Sequence, residues 1–209
     1  MPTKRTPEYE FDLTGGILCL DFANTISRRE DPEHRREHLA GYADLAAFAR
    51  QSGLFSPNQT NHLCAYAERH PNQALRTFHK AIALRETLYH AFSATSQHQS
   101  TDTDDLQQIN DAALEALQHR FLALANGGDY RWEWLWDEKN PLERILWPVA
   151  QSAAELLTSD KLRTVRFCEA PDCQWLFLDH SRNRSRRWCD MTSCGNRQKA
   201  RRHYQRTRE

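Results

Sequence analysis

The chain has 209 residues, of which 39% are apolar and 27% charged, and its formal net charge is zero. This composition is typical of a soluble protein, and the uninterrupted apolar runs, such as residues 17–20, are far too short to span a bilayer. The charges are unevenly distributed along the chain. Residues 1–160 carry 15 basic and 23 acidic side chains, whereas residues 161–209 carry 13 and 5. A basic segment beside an acidic body indicates contact with a polyanion.

The first residues are polar and contain no apolar core of the kind that secretory signals have. We therefore expect a cytoplasmic protein without a membrane partner. Its six cysteines would then lie in a reducing compartment, where clustered cysteines indicate metal ligation rather than disulfides.

The N-terminal part begins with two apolar segments. Residues 9–13 alternate as a strand does, and Gly15 and Gly16 then predict a turn. Residues 17–22 follow as a buried strand or the start of a helix. Residues 28–38 are densely charged, which predicts a loop or an exposed helix end.

Helical periodicity dominates the next hundred residues. It predicts a helix over 39–51, and a second one that Ser56 caps and that stops before Pro71. A long amphipathic helix covers 75–92, and another runs to residue 117 after a cap at Thr101 or Asp102. A last helix opens at 140–141 and ends near residue 157.

A β-hairpin is predicted between the last two helices, with strands at 121–125 and 130–136. Asn126-Gly127 supplies the positive φ of a tight turn. Trp132, Trp134 and Trp136 share one face, which we expect to be covered. The fold class is therefore α+β: a mainly helical N-terminal domain with a small β-hairpin element, residues 1–160, and a small zinc module of hairpin and helix, residues 161–209.

Four cysteines form two matched pairs. Four residues separate Cys168 from Cys173 and Cys189 from Cys194, and fifteen lie between the pairs. Four thiolates so spaced can close a tetrahedron around one structural zinc ion. Iron–sulfur binding, a redox-switching zinc site and four incidental buried cysteines are the alternatives. His180 and His203 could replace a ligand, but the four cysteines already complete the shell.

Basic residues surround the second cysteine pair and cover the helix predicted after it. Arginine suits phosphate because its planar fork donates two hydrogen bonds. We expect Ala200, Tyr204 and Thr207 to pack this helix on the zinc core. Docking on the acidic body and a bland soluble tail are the alternatives to nucleic-acid contact. The candidate nucleic-acid-binding residues are Arg182, Arg184, Arg186, Arg187, Arg197, Lys199, Arg201, Arg202 and Arg206.

Two stretches resemble a known family. Residues 15–25, GGILCLDFANT, resemble the opening of the ABATE domain, and residues 175–189 with 194–204 resemble the CGNR zinc finger that follows it. The resemblance implies a stress-induced transcription regulator whose finger binds DNA, or, on a rival description, an RNA-binding zinc ribbon. It also implies that Cys168, Cys173, Cys189 and Cys194 are the zinc ligands.

The leading hypothesis is thus a DNA-binding regulator whose helical body senses a signal or forms a homodimer. The second is an RNA or single-strand binder that stacks bases on Trp175, Phe177, Trp188 or Tyr204. In the third, the body binds a small molecule or a protein and the finger is a scaffold. We expect no enzymatic activity. Residues 34–38 match the metallopeptidase pattern H-x-x-E-H, but this segment is charged throughout and has no apolar face that could bury a catalytic site.

Overall fold

The computed structural model describes residues 9–125, 127–135 and 141–207. Over these residues it contains seven α-helices and three two-stranded antiparallel hairpins. The helices are α1 Leu18–Ala23, α2 Tyr42–Gln51, α3 Pro57–Arg69, α4 Pro71–Ser96, α5 Thr103–Gln118, α6 Leu146–Leu157 and α7 Asn196–Arg206. The strands are β1 Ile26–Ser27, β2 Arg36–Glu37, β3 Arg120–Leu124, β4 Tyr130–Trp134, β5 Val165–Phe167 and β6 Leu176–Leu178.

Side-chain caps begin two of the helices, as the sequence predicts. Ser56 accepts from the Gln59 N–H, and the Gln59 side chain accepts from the Ser56 N–H, which is a complete capping box before α3. Asp102 caps α5 by accepting from the Asp104 N–H at 2.8 Å. The long helix α4 is also confirmed. The last helix differs slightly, because a 3-10 turn over Pro141–Ile145 precedes α6.

The N-terminal segment differs from the prediction. Residues 9–13 form no strand, and the apolar run after the glycines is the helix α1. The backbone at Gly15 lies so close to α1 that an added Cβ would meet the Asp21 nitrogen at 2.9 Å. The Gly15 N–H donates to the Asp21 carboxylate at 2.7 Å, which fixes the turn to the helix.

The main core lies among α1, α2, α4 and α6. Phe22, Phe48, Leu88 and Phe92 are fully buried there. Arg85 on α4 is also buried, at 1% exposure, because Glu37 on β2 holds its guanidinium through two bonds of 2.6 and 2.7 Å. A paired charge of this kind fixes the β1–β2 hairpin to α4.

The hairpin β3–β4 is confirmed, but its aromatic face is not covered as expected. Trp134 lies against Trp147 of α6, with ring centroids 6.4 Å apart. Trp132, further out on the same face, keeps 54% of its surface exposed. Its ring still contacts the Arg120 guanidinium, whose carbon lies 4.7 Å from the ring centre, so this part of the face has a cation rather than an apolar partner. Asn126 and Trp136 lie outside the described residues.

The hairpin β5–β6 joins the metal module to the helical body. Val165, Leu176 and Leu178 belong to the main core, and the Leu178 N–H donates to the Gly15 carbonyl at 2.9 Å. The Asn24 side chain also bonds both backbone groups of Leu176, at 2.8 and 3.0 Å. The α+β, mainly helical fold class is confirmed. The boundary at residue 160 stays a prediction. In the described part of the chain, no helix combines the length and apolarity that a bilayer crossing requires.

Candidate metal centre and nucleic-acid interface

The four predicted cysteine ligands converge on one point. The sulfurs of Cys168, Cys173, Cys189 and Cys194 all lie within 4.8 Å of one another. The Sγ atoms of Cys173 and Cys189, and those of Cys189 and Cys194, are each 3.6 Å apart. Four thiolates bonded to zinc at about 2.3 Å have sulfur–sulfur separations near 3.8 Å, so the cluster has the dimensions of a tetrahedral zinc site.

Local turns bring each cysteine into place. The Cys168 N–H donates to the Trp175 carbonyl at 2.8 Å, which closes the first loop. Asp190 accepts from the Ser193 N–H at 2.7 Å and holds the π-helical turn Met191–Gly195, which returns Cys194 to the other thiols. These hydrogen bonds shape the two loops so that their four sulfurs face one point.

The chemistry of the cluster fits one structural zinc ion. All four cysteines are buried, and hydrogen bonds among them lower the pKa of the Cys168 and Cys194 thiols but raise the pKa of the Cys173 and Cys189 thiols. Four neighbouring thiolates therefore need a cation to hold all of them deprotonated, and a zinc ion would supply that charge. His180 and His203 are both exposed and lie outside the four-sulfur group, so neither replaces a ligand. Four protein ligands leave no open position, which is typical of a structural rather than a catalytic site.

One carboxylate connects the first cysteine loop to helix α7. Asp172 accepts from Arg197 at 3.0 Å and from Arg201 at 3.1 Å, and Arg28 of the helical body lies 3.8 Å from the same oxygen. Arg197 also donates to the Cys194 sulfur at 3.1 Å. A donor to a ligating sulfur lowers the charge density on the thiolate, so Arg197 supports the metal centre directly.

Arg186 also supports the structure of the finger. Its N–H donates to Asp179 and its Nε to the Trp188 carbonyl, at 2.9 and 2.8 Å, and its guanidinium contacts the Cys189 carbonyl. The guanidinium carbon lies 4.8 Å from the centre of the buried Phe177 ring. These bonds direct Arg186 inward, where it holds the basic loop against the second cysteine pair.

The remaining basic residues differ in how exposed and occupied they are. Arg187 forms an exposed ion pair with Glu169. No ion pair or side-chain hydrogen bond within the described part of the chain engages five of the predicted residues: Arg182, Arg184, Lys199, Arg202 and Arg206. All five are exposed. The structure thus divides the predicted surface into four arginines with protein partners and five unpaired cations.

The expected packing of α7 on the zinc core is wrong. Ala200, Tyr204 and Thr207 are all exposed, with Tyr204 at 69%, and α7 buries none of its residues. Asp172 holds the helix as far as Arg201, and the residues that follow are exposed. The basic side chains Lys199, Arg202 and Arg206 are therefore exposed and unpaired within the described residues.

Asn24, Asp172 and Asp179 support the site but were not among the predicted residues. Asp179 bonds the N–H groups of Ser181 and Arg186, and an Asp two residues before a Ser is a recognisable turn pattern. The partners of Asp172 lie at positions 28, 197 and 201, and no sequence spacing signals them.

The H-x-x-E-H pattern forms no metal site. Residues 34–38 contain the strand β2 rather than a helix turn. His34 bonds Asp31, and His38 lies 2.8 Å from the Ser27 hydroxyl. Cys19 is buried in the main core, and desolvation raises its pKa to about 12, so its thiol stays protonated.

Comparison with known protein families gives two matches. The ABATE family, described as "Putative stress-induced transcription regulator", matches residues 16–160, and the CGNR zinc finger matches residues 164–207. A search among curated proteins returns no match. The first match alone covers more than half of the chain and the second contains all four cysteines. The chain therefore belongs to the ABATE family and carries a CGNR zinc finger at its C-terminal end.

Proposed function

We propose that this protein is a transcription regulator that binds duplex DNA through the five unpaired cations beside the zinc centre. The observation that supports the proposal is their arrangement: Arg182 and Arg184 lie on the loop before Cys189, and Lys199, Arg202 and Arg206 lie on a helix that buries none of its residues. Exposed cations beside a metal centre can contact phosphates, which would position the protein on the duplex.

The number of unpaired cations predicts how strongly salt weakens binding. Neutralising about five phosphates on duplex DNA gives a slope of about −4.5 for log affinity against log salt. The paired arginines would add to this slope only if phosphates displaced their carboxylate partners.

Single-stranded nucleic acid is the second candidate, and the aromatic residues argue against it. Phe177 is fully buried. Trp175 is half-buried and its indole N–H donates to the Ile26 carbonyl at 2.9 Å. Trp188 is also half-buried, which leaves Tyr204 as the one fully accessible ring of the four proposed for stacking. A single stacking ring supports phosphate contact more than a base-stacking groove.

A binding selection tests the proposal directly. The zinc-loaded full-length protein is incubated with pooled duplex DNA, single-stranded DNA and structured RNA, and the bound fraction is sequenced. We expect duplex DNA to be enriched, with the salt slope given above. Preference for single strands, together with loss of binding in Tyr204→Ala, would favour the second candidate. Absence of nucleic-acid affinity at low salt, with capture of another ligand by the body, would favour a scaffold role for the finger.

Charge-removing variants identify the contacts. Lys199→Ala, Arg202→Ala and Arg206→Ala should each weaken binding and reduce the salt slope by about one. Arg76→Ala on α4 is the matched control, because Arg76 is also exposed but lies on the helical body. Arg186→Ala should instead lower the stability of the finger. Equal effects of Arg76→Ala and Arg202→Ala would contradict a defined basic surface.

The proposal describes a binding protein rather than an enzyme, acting in the cytoplasm where DNA is accessible. Homodimerisation through the helical body is part of the same proposal, because palindromic operators match two-fold symmetric regulators. Sedimentation of the free protein and of its DNA complex measures both states.

A further inference from the structure

A cavity of about 240 Å³ lies between α4, α5 and α6, on the helical body away from the zinc centre. Its floor is apolar and includes Leu84, Ala112, Leu146 and Trp147. Clefts between the helices of a bundle are common places for small-molecule sites, whose usual volume is about 300–1,000 Å³. Because the volume of this cavity lies slightly below that range, we expect any ligand to be a small organic molecule.

Acidic side chains dominate its rim. Asp111 and Glu115 lie one helical turn apart on α5, and Glu143 enters from the 3-10 turn before α6. Lys80 pairs with Glu143 at 2.9 Å and neutralises that one carboxylate. Asp111 accepts from the neutral Gln107 amide, so no cation within the described residues is bonded to it. The rim is left with a net negative charge.

The proximity of the acids also affects protonation. Burial raises the pKa of Glu115, and so does the nearby Glu143 carboxylate, which accepts from Glu115 when Glu115 is protonated, although Lys80 opposes both effects. Carboxyl groups so close disfavour simultaneous ionisation, and a ligand cation beside Glu115 would relieve that cost.

A buried polar group in the cavity wall independently indicates a ligand. Trp147 lines the cavity with only 3% of its surface exposed, and its indole N–H has no hydrogen-bond partner within the described part of the chain. Its ring stacks on His119, with centroids 3.8 Å apart, so the indole is held rigidly. Buried donors in folded proteins nearly always find an acceptor, and a ligand oxygen in this cavity would supply one.

We infer that the cavity between α4, α5 and α6 binds a small organic cation, a protonated amine on an apolar ring or short chain. The ammonium group lies at the rim beside Asp111 and Glu115, and the apolar part contacts Leu84, Ala112 and Leu146. An oxygen on the same molecule would accept from the Trp147 indole. This binding does not depend on whether the finger contacts nucleic acid, so the two proposals can fail separately.

Calorimetric titration of the zinc-loaded full-length protein tests the inference with three matched probes that all carry an ether oxygen for Trp147: 2-phenoxyethylamine, its neutral isostere 2-phenoxyethanol, and the anion phenoxyacetate. Cyclohexylamine serves as a smaller amine. We expect saturable binding of the amines, binding of the alcohol about tenfold weaker, and none of the anion, because a charge-assisted contact is lost and then reversed.

Three variants place the binding in this cavity. Glu115→Gln keeps the shape of the side chain and should weaken amine binding about tenfold. Ala112→Leu fills the cavity and should abolish binding. Asp104→Asn, in the first turn of α5 outside the cavity, is the control and should bind as the wild type does. Circular dichroism and the melting temperature confirm that each variant is folded.

Three outcomes of the titrations would each overturn part or all of the inference. Equal affinity for 2-phenoxyethylamine and 2-phenoxyethanol would overturn the cationic class, and unchanged amine binding in a folded Ala112→Leu or Glu115→Gln protein would overturn the location. Failure of both amines to bind the folded wild-type protein would overturn the inference as a whole. A shift of the Trp147 indole N–H resonance on titration, assigned with Trp147→Phe, would support it.

Discussion

Arg197 in the first turn of α7 pairs with Asp172 in the first cysteine loop, its Nε 3.0 Å from the carboxylate oxygen. The same oxygen accepts from Arg201 one turn later. This carboxylate thus holds the base of the basic helix at the metal centre, and in the proposed DNA complex it would compete with phosphate for both arginines.

Asp172→Asn should therefore release two arginines for nucleic acid. We expect the salt slope of DNA binding to become steeper by about one to two, because more phosphates are neutralised. Amide exchange in α7 should quicken as the helix loses its attachment. Zinc content should stay at one per chain, since Asp172 is not a ligand. An unchanged slope together with unchanged exchange would show that the pair has no such role.

Removal of zinc should unfold the finger and leave the helical body folded. The four cysteines form a small apolar cluster of their own around Phe177, whereas Val165, Leu176 and Leu178 belong to the main core. Structural zinc contributes about 10–16 kcal/mol in isolated fingers, so little holds the finger together without it.

Cys189→Ser with elemental analysis and hydrogen exchange measures this effect. Zinc should be lost and amides after residue 178 should exchange rapidly, while those in α4 and α6 stay protected. Cys64→Ser is the control, because Cys64 lies outside the cluster. Loss of protection throughout the body would instead mean that the two parts unfold as one unit.

Asn24→Ala should be strongly destabilising although it removes only one small side chain. Asn24 is 3% exposed, and its amide bonds both the N–H and the carbonyl of Leu176. Deletion leaves two buried backbone groups unpaired, at a cost of about 2–4 kcal/mol in the free energy of unfolding. Urea titration measures the loss. Asn61→Ala, at an exposed position of α3, should change it by less than about 0.5 kcal/mol.

The Glu37–Arg85 pair should make stability depend on acid pH. Hydrogen bonds and charge from Arg85 hold the pKa of Glu37 below its ordinary value, despite the opposing effect of burial. A lowered pKa in the folded state contributes stability above the ordinary value, about pH 4.3, and this contribution is lost as the pH falls through the folded-state pKa. Glu37→Gln should lower stability at pH 7 and flatten the decrease below about pH 4.3, as urea unfolding at several pH values would show. An equally steep acid decrease in the variant would contradict the assignment.

Asp21 should affect the pH dependence of stability in the opposite direction to Glu37. Burial raises its pKa to about 6, although the Gly15 N–H favours the carboxylate. Its raised pKa favours the folded state below the ordinary value, and this effect fades as the pH rises from about 4 to 6. Asp21→Asn, which keeps an acceptor for Gly15, should raise stability at pH 7 by about 1–3 kcal/mol. A lower melting temperature for the variant at pH 8 would contradict this.

Local signals account for what the sequence predicts well. The cap at Ser56, the period of α4 and the paired cysteine spacing each depend on residues within a few positions of one another. They therefore fix element types and ligands without knowledge of the tertiary fold. The prediction of a strand over residues 9–13 was wrong because alternation over five residues is a weak strand signal, and no neighbouring strand pairs with this segment in the described structure.

Long-range contacts account for what the sequence could not show. Asn24 bonds Leu176 and Gly15 bonds Leu178, each pair more than a hundred residues apart, and Asp172 pairs with distant Arg28 as well as with Arg197 and Arg201 on another element. The GGILCLDFANT stretch, which resembles the family signature, thus also contains the residues that bond β6. Similarly, the division of the basic residues into paired and unpaired sets follows from the geometry of the cysteine loops rather than from composition.

Because α7 buries none of its residues, its tertiary support comes from the ion pairs of Arg197 and Arg201 with Asp172 rather than from apolar packing. Helices shorter than about 12–15 residues are marginal in water, and its like charges one turn apart repel. Neutralising those charges on a polyanion should raise the helical content of residues 196–206. Association would then be accompanied by an unfavourable ordering entropy, and cooling would strengthen it.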